Sequence, residues 1–113
     1  MKIVNQSRNT IVASEATKAD TFLSRMIGLL NRKDLSAQEA LIITKCNSIH
    51  MLFMKFSIDV IFITKENIVV GLIKGIQPFR LSPVFWKASC AIELAVGGIE
   101  RSNTSLGDRL SIL

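Results

Sequence analysis

Cys46, His50 and Met54 fall four residues apart, and together they form a soft ligand set. Residues at that spacing share a face in a strand of period two and in a helix of period 3.6, so the shared face does not depend on which element forms. Thiolate, imidazole and thioether suit copper(I), or zinc with a fourth partner. In a regular strand, alternate residues of one face stand nearly 7 Å apart. Ligands four apart then reach one ion only through a bulge or a helical turn. The competing reading is a buried face on which the cysteine and methionine pack as hydrophobes and His50, the sole histidine, bonds a neighbouring backbone group. Residue type favours packing, and no metal or other cofactor is expected.

Asp59 and Glu93 are the next groups able to do chemistry, because each lies inside or at the edge of an apolar run. An uncompensated carboxylate is costly there. If both ring one mouth with His50, they form an acid and a base for a small hydrolase. The structural alternative pairs them with Arg25, Lys55 or Arg101, or sets them in turns at strand ends. The sequence contains no Gly-x-Ser-x-Gly, phosphate loop or Gly-x-Gly-x-x-Gly, so no nucleophile or nucleotide motif supports the enzyme reading. Trp86, with Phe79 and Phe85 beside Pro78 and Pro83, forms an aromatic loop that either caps the fold or meets a partner.

These groups need elements to hold them. Residues 1–4 and 10–14 read as a hairpin around the polar turn 5–9. Asp20 is placed to cap a helix whose apolar face carries Phe22, Met26, Leu29 and Leu30, and Arg25 sits at the border of that face. The residue types at 36–39 suggest a short helical turn. Strands follow at 40–44, 58–63, 68–76, 88–96 and 110–113, with Thr64-Lys65-Glu66-Asn67 joining two of them antiparallel. Six or seven short strands and one helix predict an α+β, mainly β domain over 1–113. It should be a small barrel-like or sandwich-like antiparallel sheet with one short helix after the first hairpin.

Composition narrows the function classes. With 49% hydrophobic and 20% charged residues among 113, the chain can offset its ordering entropy by apolar burial. No apolar run approaches the ~18 residues of a membrane span, and the polar residues after Val4 interrupt any signal-peptide core. A soluble, cytoplasmic protein is expected, without membrane partners and with both cysteines reduced. The net charge of +5 raises the question of nucleic acid, but the lysines and arginines are scattered along the chain and only Arg32-Lys33 are adjacent. That pattern argues against nucleic-acid binding.

One resemblance spans most of the chain. Arg25-Met26-Ile27-Gly28-Leu29-Leu30 is followed by Arg32 and Leu35, and methionines precede Ile58-Asp59-Val60-Ile61-Phe62. Pro78, Ile92-Glu93-Leu94 with Gly97-Gly98, and Gly107-Asp108 come after. In that order they resemble DUF192, a bacterial and archaeal domain family of unknown function. The resemblance implies a β-rich barrel-like fold with a helix after the first hairpin, and it implies no activity. The chain departs from the commoner pattern by lacking a Met-Lys-Asn-Thr run and the Pro before Leu-Asp. Phe56-Ser57-Ile58 stands there instead, and either Met51 or Met54 takes the place of the family's methionine.

The favoured expectation is a binding module for an unknown small ligand or protein. It would present the loop from Gln77 to Lys87 and the segment from Met51 to Phe56, with Arg25, Met51, Met54, Lys55 and Trp86 as contacts. The alternatives are the hydrolase of His50, Asp59 and Glu93, and the soft-metal protein of Cys46, His50 and Met54.

Overall fold

The computed structural model describes residues 1–19, 34–52 and 54–113. Within them lie β1 (Ile3–Asn5), β2 (Thr10–Ala13), β3 (Glu15–Ala19), β4 (Glu39–Thr44), β5 (Ile58–Ile63), β6 (Val69–Ile76), β7 (Cys90–Ala95), α1 (Gly98–Arg101) and β8 (Leu110–Ile112). The mainly β, α+β class is as expected. The helix expected after the first hairpin, and Arg25 on it, lie outside the described residues. The described helix follows β7. At 36–39 there is a turn instead of helix, closed by the Glu39 amide on the Ser36 carbonyl and leading straight into β4.

The strands form two sheets, in the orders β2-β1-β8 and β3-β4-β7-β5-β6. Every pair is antiparallel except β3–β4, which runs parallel with Glu15 opposite Glu39 and Ala19 opposite Ile43. Among the described strands that pair is the one departure from the antiparallel sheet expected. Strand β3 was not legible because Glu-Ala-Thr-Lys-Ala has neither a β-branched run nor strict alternation, and backbone pairing on both sides holds it. Its Ala16 amide donates to the Met1 carbonyl at 2.7 Å, and the Met1 ammonium donates to the Ala16 carbonyl at 3.0 Å. At the other side β8 meets β6, where the Val69 amide bonds the Asp108 carbonyl and the Gly107 amide bonds the Val69 carbonyl. These two seams join the small sheet to the large one and give the barrel-like form.

Alternation along the central strands divides the core in two. Ile61, Ile63, Ile92, Leu94, Ala40 and Ile42 point into the space between the sheets, where they meet Ile3, Val12 and Leu110. Val60, Phe62, Ala91, Leu41 and Ile43 point to the other face of the large sheet, where Ile49, Met51 and Met54 cover them. Among the described residues, irregular segments cover the second cluster.

Two polar devices fix the corners. The β5–β6 hairpin turns on Thr64, whose hydroxyl accepts the amides of Glu66 and Ile68, and on Asn67, whose φ of 64° suits a residue tolerant of the left-handed region. At the start of β8, the Asp108 carboxylate accepts from the Asn5 side chain at 3.0 Å, the Arg8 guanidinium at 3.1 Å and the Ser105 amide at 2.9 Å. Burial pushes the Asp108 carboxyl up, but these hydrogen bonds and the Arg8 charge outweigh it and hold the group below its ordinary value.

Candidate functional site

The described residues of two irregular segments, 46–56 and 77–88, lie side by side over the second core cluster. They are laced by backbone bonds. The Met51 amide donates to the Arg80 carbonyl and the Phe79 amide to the Met51 carbonyl, both at 2.8 Å. The Ser82 amide donates to the Ile49 carbonyl and the Phe85 amide to the Asn47 carbonyl, also at 2.8 Å. The Ser82 hydroxyl accepts the Ile49 amide at 2.8 Å and donates to the Pro83 carbonyl at 2.9 Å. His50 and Leu81 face each other in an antiparallel bridge. Prolines at 78 and 83 remove donors and forbid a regular strand, so side-chain and turn bonds complete the ladder.

Phe85 anchors this ladder to the sheet. Its ring lies 4.4 Å from that of Phe62, tilted by 30°, over the backbone of Gly71. A Cβ on residue 71 would stand 2.6 Å from the Phe85 ring, so the seat exists only because that strand position is glycine. A bulge helps. Phe62 pairs with Gly71 but Ile63 pairs with Val69, leaving Val70 as the extra residue. Val70, Phe85, Trp86 and Lys87 then line an apolar cleft of about 270 Å³.

With Phe85 turned inward, the next residue is thrown outward. Trp86 is 84% exposed, Leu81 74% and Phe79 66%, and Leu52 and Val84 are also exposed. The cations Lys45, Lys55, Arg80 and Lys87 are exposed on the same two stretches of chain. Neither 45–58 nor 77–91 contains an aspartate or glutamate. These stretches therefore expose apolar and positive side chains and no negative one.

Asp59 is occupied elsewhere. Its Oδ1 accepts the Gly75 amide at 2.9 Å, and its Oδ2 accepts those of Gly97 and Ile99, both at 3.1 Å. Gly75 has φ 68° in a second bulge of β6, between the pairs Ile58–Ile76 and Val60–Ile73. The left-handed residue turns its amide off the ladder toward the carboxylate. One side chain thus ties β6, the end of β7 and the first turn of α1. Asp59 pairs with Leu94 and Val60 with Glu93 on adjoining strands, so the two carboxylates leave opposite faces of one sheet. Asp59 sits on the side of Ile61 and Leu94, whereas Glu93, wholly buried, sits on the side of Val60 and Ala91. The alternative of one mouth ringed by both needs them on one face, and the register sets them on opposite ones.

A family model, DUF192, Uncharacterized ACR, matches residues 3–112. The chain belongs to that family. A UPF0127 protein of Thermococcus sibiricus is 34% identical over 112 residues, covering 96% of this chain and 72% of the relative. One of Pyrococcus furiosus is 33% identical over 114 residues, covering 96% and 95%. A solved structure of a protein of unknown function from Novosphingobium aromaticivorans superposes with a TM-score of 0.81 at 18% identity, covering 98% of this chain and 82% of that one. That likeness shows the fold alone.

Within the DUF192 fold the soft-ligand residues are dispersed in role. Cys46 and Met54 pack into the second cluster, and the Cys46 thiol donates to the Ser48 carbonyl at 3.0 Å. His50 is half-buried on the ladder. Among the described residues no group of three or more His, Cys, Asp or Glu is arranged to hold a metal ion. Cys46 lies on the second cluster and Cys90 packs against the first. Met51 and Met54 are buried. Both were expected among the contacts, whereas Leu52 and Lys55 are the exposed ones among the described residues of that segment. Trp86 is at the surface as expected, and Arg25 lies outside the described residues. Sequence reasoning did not use Phe85 as an anchor or Gly71 as its seat. A glycine inside an otherwise apolar strand was the available signal of a close approach.

Among the described residues no helix is long and apolar enough to cross a membrane.

Proposed function

We propose that this DUF192 protein is a binding module whose working surface is the ladder of residues 47–52 and 77–87. One observation carries this reading: Leu52, Phe79, Leu81, Val84 and Trp86 are exposed on two segments that backbone hydrogen bonds join to each other. Single exposed apolar residues are ordinary on any surface, but five on one pair of hydrogen-bonded segments mark a place of interaction. A preformed surface loses little conformational entropy on binding, which favours affinity. The hydrolase alternative would need Asp59 and Glu93 at one mouth, and they leave opposite faces of the sheet. The soft-metal alternative has its thiol donating to a backbone carbonyl and its Met54 thioether buried in an apolar cluster.

A small-fragment library titrated into isotope-labelled protein tests the reading. Amide shifts concentrated at 49–52 and 79–87 are expected. Shifts concentrated around Gly75 and Gly97, beside Asp59, would contradict it.

A further inference from the structure

We propose that the partner is an acidic polypeptide segment that lodges an apolar side chain in the cleft between Phe85 and Trp86, with a neighbouring carboxylate on Lys87. The inference rests on the binding reading above and adds the chemistry of the ligand. Three observations select that chemistry.

The cleft is bounded by Val70, Phe85 and Trp86, and Lys87 is its charged member. At about 270 Å³ it lies just below the range of drug-sized pockets and suits one large side chain. The surface also extends past the cleft. From the Phe79–Met51 bond to the Phe85–Asn47 bond the shorter segment, residues 47–51, limits the ladder to about 14 Å at full stretch, the length of a four-residue peptide. Finally, Lys45, Lys55, Arg80 and Lys87 are exposed on the same two stretches as the apolar residues, with no acidic residue in either, and Lys87 lines the cleft itself. A partner with carboxylates flanking its apolar residues is complementary to that charge. A second copy of this chain is not, since a two-fold contact would set the four cations against their own images.

Trp86 is the sole tryptophan, so intrinsic fluorescence reports on the cleft directly. The probe is a short acetylated, amidated peptide with Leu and Phe at its centre and Glu on either side, free of Trp and Tyr. Saturable binding with a blue shift of Trp86 emission is expected, weakening as sodium chloride is raised. Binding should fall about tenfold in Lys87→Glu and about tenfold when Gln replaces Glu in the peptide. Equal binding of the Gln peptide, or no response to the Glu peptide, would overturn the proposal. So would a blue shift produced only by vesicles of phosphatidylglycerol and phosphatidylcholine, or only by a single-stranded oligonucleotide. Fragment shifts at the ladder without peptide binding would sink this inference and leave the binding reading standing. Absence of both would sink the two together.

Discussion

The Asp59 corner and the ladder over the second core cluster are built from the same materials and end in opposite states. At the corner, the side chain is turned inward and both of its oxygens are occupied by backbone amides. At the ladder, the backbone bonds are made between the two segments and several large side chains are left facing water. Folding uses the chemistry of the first region completely. In the second it fixes a geometry and leaves the side chains available. A carboxylate in an apolar strand draws attention as a catalytic candidate, yet here it is a brace, and the exposed apolar residues are the better sign of function.

The largest effect that can break this contrast is at Asp59. Asp59→Ala strips the acceptor from three amides, and it is expected to cost about 3 to 5 kcal/mol in urea denaturation. A loss below 1 kcal/mol would show that the corner does not depend on the carboxylate and would free Asp59 for another role. Next is Gly71→Ala, which drives a methyl group into the Phe85 ring. A cost of about 1 to 3 kcal/mol is expected. Trp86 emission should also change, because the anchor beside it is displaced. An unchanged midpoint with unchanged emission would mean that the ladder adapts freely and is not the rigid surface described here.

The acid limb comes third. The Asp108 carboxyl is held below its ordinary value, so its contribution to stability is fully present above the unfolded-state value and is lost as the pH falls through the lower folded value. Stability measured from neutral pH downward should therefore decline over that window, and Asp108→Asn should flatten the decline. An identical acid profile in the variant would remove Asp108 as the cause.

How much of this was legible beforehand follows from range. The strands at 40–44, 58–63 and 68–76 announce themselves through β-branched runs, and Thr64 to Asn67 through its turn residues, because both signals are local. The placement of Asp59 and Glu93 on opposite faces depends on the register between β5 and β7, which no single segment contains. Trp86 was legible as an aromatic loop residue, but its exposure follows from Phe85 finding Gly71, a contact across the fold. Met51 and Met54 were named as contacts and Met54 also as a core residue, an ambiguity that stood because an irregular segment has no period from which to read its inner side.

The smallest expected effect on stability carries the most weight for function. Leu52→Ser, Leu81→Ser and Trp86→Ser combined replace exposed residues, and surface substitutions of this kind usually stay within about 0.5 kcal/mol each. The fragment titration repeated on this triple variant is the most direct test. A dispersed, wild-type-like amide spectrum from which the shifts at 49–52 and 79–87 have disappeared is the predicted result. A folded variant that keeps those shifts would contradict the assignment of the ladder as the binding surface.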